Sequence, residues 1–129
     1  MRSLFLVALI VADYDQAIAW YRDVLGFSLA IDQPLGQGKR WVVTKPDEDN
    51  GADLLLARAD GEAEAAAIGN QTAGRVAFFL KTDDFERDHA LYLSRGVEFL
   101  ENPRREDYGT VAVFRDAFGN LWDLIEQRA

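Results

Sequence analysis

The sequence predicts an α+β fold of two tandem β-α-β-β-β modules. Three observations predict it: an internal repeat, helix-start and helix-stop signals placed alike in both copies, and short apolar runs in the same order. VALIVADYDQAIAWYRDVLGFSLAID, from Val7, is echoed by VAFFLKTDDFERDHALYLSRGVEFLEN, from Val76. Val76 follows Val7 by 69 residues, Gly96 follows Gly26 by 70 and Gly109 follows Gly38 by 71, while GNLWDLI from Gly119 overlies GADLLLA from Gly51 at 68. The copies therefore drift by single-residue insertions in loops. With 129 residues the chain is the size of one domain, so two half-size modules must share a core.

Leu4 to Val11 is an apolar run of strand length. Asp13 or Asp15 can cap the helix that follows, which carries Ala17, Ile18, Tyr21 and Leu25 at helical spacing and ends at Gly26. Phe27 to Ile31 reads as a second strand, QPLGQGKR as a polar turn, Trp41 to Thr44 as a third strand and Leu54 to Ala57 as a fourth. Module one thus spans about residues 1–58. Residues 59–74, rich in Ala, Gly and Glu, form a linker with a short helix around Glu62 to Ile68. Module two, about 75–129, repeats the plan. Arg75 to Lys81 is a strand, and Asp83 or Asp84 caps a helix through Phe85, Leu91 and Leu93 that Gly96 closes. Val97 to Leu100, Thr110 to Arg115 and Leu121 to Glu126 are strands, the last two joined by Ala117-Phe118-Gly119-Asn120.

Fourteen Lys and Arg against 22 Asp and Glu give a net charge of -8, which disfavours nucleic acid and anionic membrane as partners. The absence of cysteine excludes disulfides, thiolate nucleophiles and Cys-ligated metals. MRSLFLVALIVAD imitates a signal peptide, but its apolar run recurs at Val76 to Leu80, so both read as buried strands and a cytoplasmic protein is expected. That reading also discounts Asn70-Gln71-Thr72 as a glycosylation acceptor. One histidine and no cysteine leave the usual nucleophile arrangements without parts, and GQGKR lacks the spacing of a phosphate loop.

The ordered marks VALIVADYDQAIAWYRDVLGF and GTVAVFRDAFGNLWDL, within a duplicated unit, resemble the vicinal oxygen chelate superfamily of glyoxalases, bleomycin-resistance proteins and extradiol dioxygenases. The resemblance covers almost the whole chain. It implies one curved mixed sheet with helices on its convex side and a small molecule in the hollow. It also implies a homodimer, as in the drug-binding relatives. Active relatives hold a divalent metal through His, Glu or Gln on four strands, and those positions fall here on Leu6, Leu55, Arg75 and Asp123. Two aliphatic chains, a cation and one carboxylate cannot supply the three or four N or O donors a dication needs, so no metal and no cofactor is expected. What remains is metal-independent binding of a small organic molecule. The alternatives are a metal-dependent lyase or dioxygenase using displaced ligands such as Asp123, Glu101 or Glu126, and an association module whose hollow is filled.

The resemblance brings Arg75 and Asp123 together, either as a guanidinium offered to an anionic or carbonyl-bearing ligand or as a pair that only neutralises itself. Arg40 and Trp41 after the glycine-flanked turn offer a clamp for a flat or anionic ligand, although an exposed Arg beside a core Trp is the commoner arrangement. Tyr108 occupies the equivalent turn of the second copy. Trp122 alternates away from Asp123 and belongs to the core. His89 is expected at a solvated helix position. Glu101, Glu106 and Asp107 are expected in a solvated loop, with acid-base pairing as the alternative.

Overall fold

The structure, a computed structural model, describes residues 1–128 and divides into two compact units, Met1–Ile68 and the chain from Gly69 onward. The first contains β1 (Leu6–Val11), α1 (Tyr14–Asp23), β2 (Ser28–Gly36), β3 (Lys39–Lys45), β4 (Asp53–Arg58) and α2 (Glu62–Ala67). Its sheet runs in the order β1-β4-β3-β2, with β1 parallel to β4 and the other pairs antiparallel. The second contains β5 (Val76–Lys81), α3 (Phe85–Ser94), β6 (Glu98–Phe99), β7 (Arg104–Glu106), β8 (Gly109–Arg115) and β9 (Leu121–Gln127). Here the order is β5-β9-β8-β6, with β7 also paired to β8 and β5 parallel to β9. Each unit is an α+β module with a mixed sheet, as the repeat predicts.

The caps follow the repeat. The Asp13 carboxylate accepts from the Gln16 N–H at 2.7 Å, and Asp84 accepts from the Arg87 N–H at 3.1 Å. Both satisfy an otherwise orphaned amide in the first helical turn. α1 buries Tyr14, Ala17, Ile18 and Tyr21. Leu9, Val42, Leu54 and Leu56, which share one face of the first sheet by their register, are buried as well. In the second unit Trp122 lies at the centre of the aromatic core, its ring centroid 4.6 Å from Phe78 and 5.8 Å from Phe114, while Tyr92 of α3 reaches Phe114 at 6.1 Å. Trp122 is therefore a core residue on the helix side, as alternation along β9 requires.

Register confirms the overlay of the two copies. Val43 of β3 stands opposite Leu55, and Val113 of β8 stands opposite Asp123. Leu55 and Asp123 are equivalent positions, each facing a valine on the neighbouring antiparallel strand.

Several elements differ from expectation. β2 continues to Gly36, and the turn contracts to Gln37-Gly38, both at positive φ (57° and 77°), the two-residue hairpin turn that matches strand twist. Pro34 is tolerated because β2 is an edge strand with no partner on its outer side among the described residues. β7 is a short strand that apolar periodicity could not reveal, since Arg104-Arg105-Glu106 carries no apolar residue. In α3 the buried residues are Phe85 and Tyr92, whereas Leu91 and Leu93 are exposed.

Candidate functional site

In each unit the sheet face turned away from its helix is where polar and exposed aromatic groups gather. In the second unit, register places Phe79, Val113 and Asp123 side by side on that face. Phe79 is 66% exposed, an unusual position for a large apolar ring. Asp123 is only 9% exposed, and its Oδ1 is buried with no hydrogen-bond partner among the described residues. Burial pushes the Asp123 carboxyl above its ordinary value of 3.8, the Arg104 charge opposes that rise, and the Glu101 charge adds to it.

Arg104 organises this region. Its Nε donates to Glu101 Oε1 at 2.9 Å and its Nη1 to Glu106 Oε1 at 3.0 Å, and it also bonds the Tyr108 side chain. Glu101 Oε2 accepts from the Val113 N–H at 3.0 Å, which ties it to the strand facing Asp123. Glu101 and Glu106 are thus anchored by Arg104, and neither behaves as part of a solvated loop.

Arg75 is exposed and stands one residue before β5, in a turn where Thr72 Oγ1 donates to its carbonyl at 2.7 Å. No ion pair joins it to Asp123 among the described residues, and the charges that act on Asp123 are those of Arg104 and Glu101. Tyr108 lies in the turn Asp107-Tyr108 between β7 and β8 and borders an open groove of about 1130 Å³ with Lys81, Asp83, Arg105 and Arg128. Gly109, which follows it, has φ +149°, and a Cβ there would meet Glu126 O at 2.0 Å, so the hairpin closes only on a glycine.

Arg40 and Trp41 point to opposite faces of β3, as neighbours on a strand do, and share only the groove at the sheet's end that both border. Arg40 grips Asp32 with two bonds, Nε to Oδ1 at 3.0 Å and Nη2 to Oδ2 at 2.7 Å, and reaches Asp15 Oδ1 at 2.9 Å. Its guanidinium lies 5.1 Å from the Tyr14 ring centroid, and the Arg40 backbone N–H donates to Tyr14 Oη at 3.1 Å. Trp41 falls on the other face with Val43 and Leu55, 38% exposed, and is no core tryptophan.

His89 is half-buried rather than solvated. Its ring stacks on Phe85 at 5.2 Å and meets Phe99 edge-on at 4.5 Å, and burial lowers its pKa. Glu126 is on the helix side of β9, where its Oε1 accepts from the Phe85 N–H at 2.7 Å, so it turns away from Asp123. The Phe114-to-Asp123 hairpin is fixed by Asp116, which is buried. Its oxygens accept from the N–H groups of Phe118 and Asn120, from Asn120 Nδ2 (each 2.9 Å) and from Trp122 Nε1 at 3.2 Å.

A family model described as the Glyoxalase/Bleomycin resistance protein/Dioxygenase superfamily matches residues 3–124. The chain belongs to this superfamily. A Shewanella frigidimarina protein of uncharacterized function is 49% identical over 97% of this chain and 93% of its own length. Among solved structures, UcmS2 superposes with a TM-score of 0.83 at 29% identity, covering 97% of this chain and 98% of that one. TnmS3, an antibiotic binding protein from Streptomyces sp. CB03234, superposes at 0.79 with 27% identity, covering 99% and 98%.

The donor set does not fit the metal implied by some superfamily members. Of the four positions that the resemblance implies, Leu6 and Leu55 offer no donor, Arg75 offers a cation, and Asp123 offers one carboxylate. The described residues contain no group of three or more His, Asp or Glu arranged to hold an ion. Sequence reasoning missed Phe79 and Arg104. Alternation along FFLK would have placed Phe79 on the face of Asp123. Nothing in LENPRRED distinguishes Arg104 from Arg105.

Proposed function

We propose that this chain binds a small organic molecule on the helix-free face that carries Asp123, without a metal ion and without a cofactor. The observation that carries the reading is the Asp123 carboxylate, buried with an unpartnered Oδ1 beside the exposed Phe79 ring. A buried acceptor with no partner costs stability, and a ligand hydroxyl, amide or ammonium would satisfy it while a flat apolar body rests on Phe79. Arg104 orients the carboxylates of Glu101 and Glu106. Tyr108 lies in the β7–β8 turn of the same sheet, bonded to Arg104, and Arg75 stands one residue before β5 with no ion pair among the described residues. Arg40 is held by Asp15 and Asp32.

The similarity to an antibiotic binding protein supports small-molecule binding over turnover, and the unsuited donor set supports metal independence. Exposed Leu4 and Phe5 offer apolar surface that a second copy would cover, in keeping with a homodimer.

The test is a thermal-shift screen of aromatic antibiotics and aromatic amines against the wild type and Asp123→Asn, with metal content measured on protein purified without chelator. Hits that raise Tm in the wild type and fail to do so in the variant support the reading. Stoichiometric bound Ni, Zn, Fe or Mn overturns metal independence. Sedimentation analysis decides the dimer.

A further inference from the structure

The first unit carries a second groove, of about 410 Å³, at the end of its sheet where the β2–β3 turn approaches the end of β4. Because it lies at the sheet's end, side chains from both faces border it, Leu55 and Leu56 among them. Three cations border it together with the carboxylates of Asp60 and Glu64: Arg40 is paired with Asp15 and Asp32, Lys39 with Asp60 at 3.4 Å, and Glu64 accepts from the Asp60 N–H at 3.1 Å. The third, Arg58, forms no ion pair among the described residues. Its guanidinium is nevertheless held in place, 5.1 Å from the centroid of the Tyr14 ring. Tyr14 is itself buried and fixed by the Arg40 N–H.

Apolar side chains open to solvent also border the groove, with Leu35 59% exposed and Trp41 38% exposed. Gln37 completes the rim in a strained backbone state, at φ +57°, where glycine, asparagine or aspartate would be easier. Gly38 leaves room on the same turn, since a Cβ there would come within 3.3 Å of Arg58 Nη2.

We propose that this groove is a binding site for a small arylcarboxylate. The carboxylate takes the two parallel N–H donors of Arg58, the Gln37 amide adds a donor, and the flat ring lies against Leu35 and Trp41. The site is separate from the Asp123 face and stands whether or not that face binds its own ligand.

The probe is 1-naphthoate, titrated into 15N-labelled protein, with 1-naphthalenemethanol as a neutral control of the same shape. Saturable shifts are expected at residues 35–41 and 57–60. Loss of the charge-assisted bonds makes the alcohol at least about tenfold weaker, and Arg58→Gln weakens naphthoate by a similar factor. Arg58→Lys keeps the charge but lacks the planar fork, so it should retain only part of the affinity. Asp123→Asn leaves naphthoate binding unchanged. Naphthoate that does not saturate these resonances, or that binds Arg58→Gln as tightly as the wild type, overturns the proposal. So does an alcohol that binds as well as the acid.

Discussion

Asp123→Asn should make the protein more stable near neutral pH while removing ligand binding on its face. The side chain keeps its shape and loses its charge. In the wild type the carboxylate is buried beside Val113 and Phe79, its Oδ1 has no partner, and Glu101 repels it. An unsatisfied buried group of this kind costs about 1–3 kcal/mol, and Arg104 offsets part of that while asparagine retains a buried polar oxygen. The net gain expected is about 1 kcal/mol, which for 129 residues corresponds to a rise in Tm of about 4 °C. The pH dependence identifies the cause. Because the folded carboxyl titrates above 3.8, the folded protein keeps a proton that the unfolded chain has already released between the two values. Wild-type stability from this group therefore falls as pH rises through that window and stays lowered above it, whereas the variant shows no such loss. Urea unfolding followed by tryptophan fluorescence, from about pH 3 to about pH 8, should show the curves of the two proteins converging at the acid end. A variant that is less stable than the wild type at neutral pH, or an advantage that does not change with pH, refutes the reasoning.

Asp116→Ala leaves the Asn120, Phe118 and Trp122 donors buried without their acceptor and should cost about 3–5 kcal/mol in urea unfolding, with Asp116→Asn losing less. Gly109→Ala drives a methyl into Glu126 O and should cost about 3 kcal/mol or more, with loss of amide-exchange protection confined first to β8 and β9. Gln37→Gly relieves a left-handed glutamine and should raise stability by up to about 1 kcal/mol while weakening naphthoate binding. Glu126→Ala removes the acceptor at the start of α3 and should cost about 1 kcal/mol, visible as reduced helix protection in hydrogen exchange.

The fold was readable because its determinants are local and repeated. Asp13 and Asp84 stand before helices of equal length, and the repeated apolar runs both form strands, although β1 buries Leu9 and Val11 whereas no residue of β5 is buried. The overlay of Leu55 on Asp123 was also readable, since it needs only the order of residues around two turns. What sequence could not supply was which charges meet. Arg75 and Asp123 share a strand neighbourhood by analogy, yet the guanidinium that acts on Asp123 comes from Arg104, on a three-residue strand without hydrophobic signature. Arg40 and Trp41 are adjacent in sequence and divided by the pleat. Arg58, at the end of β4, gains its significance only because the β2–β3 turn folds back toward it.

The pairing of Val43 with Leu55 and of Val113 with Asp123 gives the molecule an internal control. One copy shows how the strand geometry behaves with an aliphatic side chain at that point, and the other shows it with an acid, within a single chain and under identical solvent. Exchanging the two residues would therefore separate what belongs to the position from what belongs to the carboxylate, an experiment that a protein built from one copy does not permit.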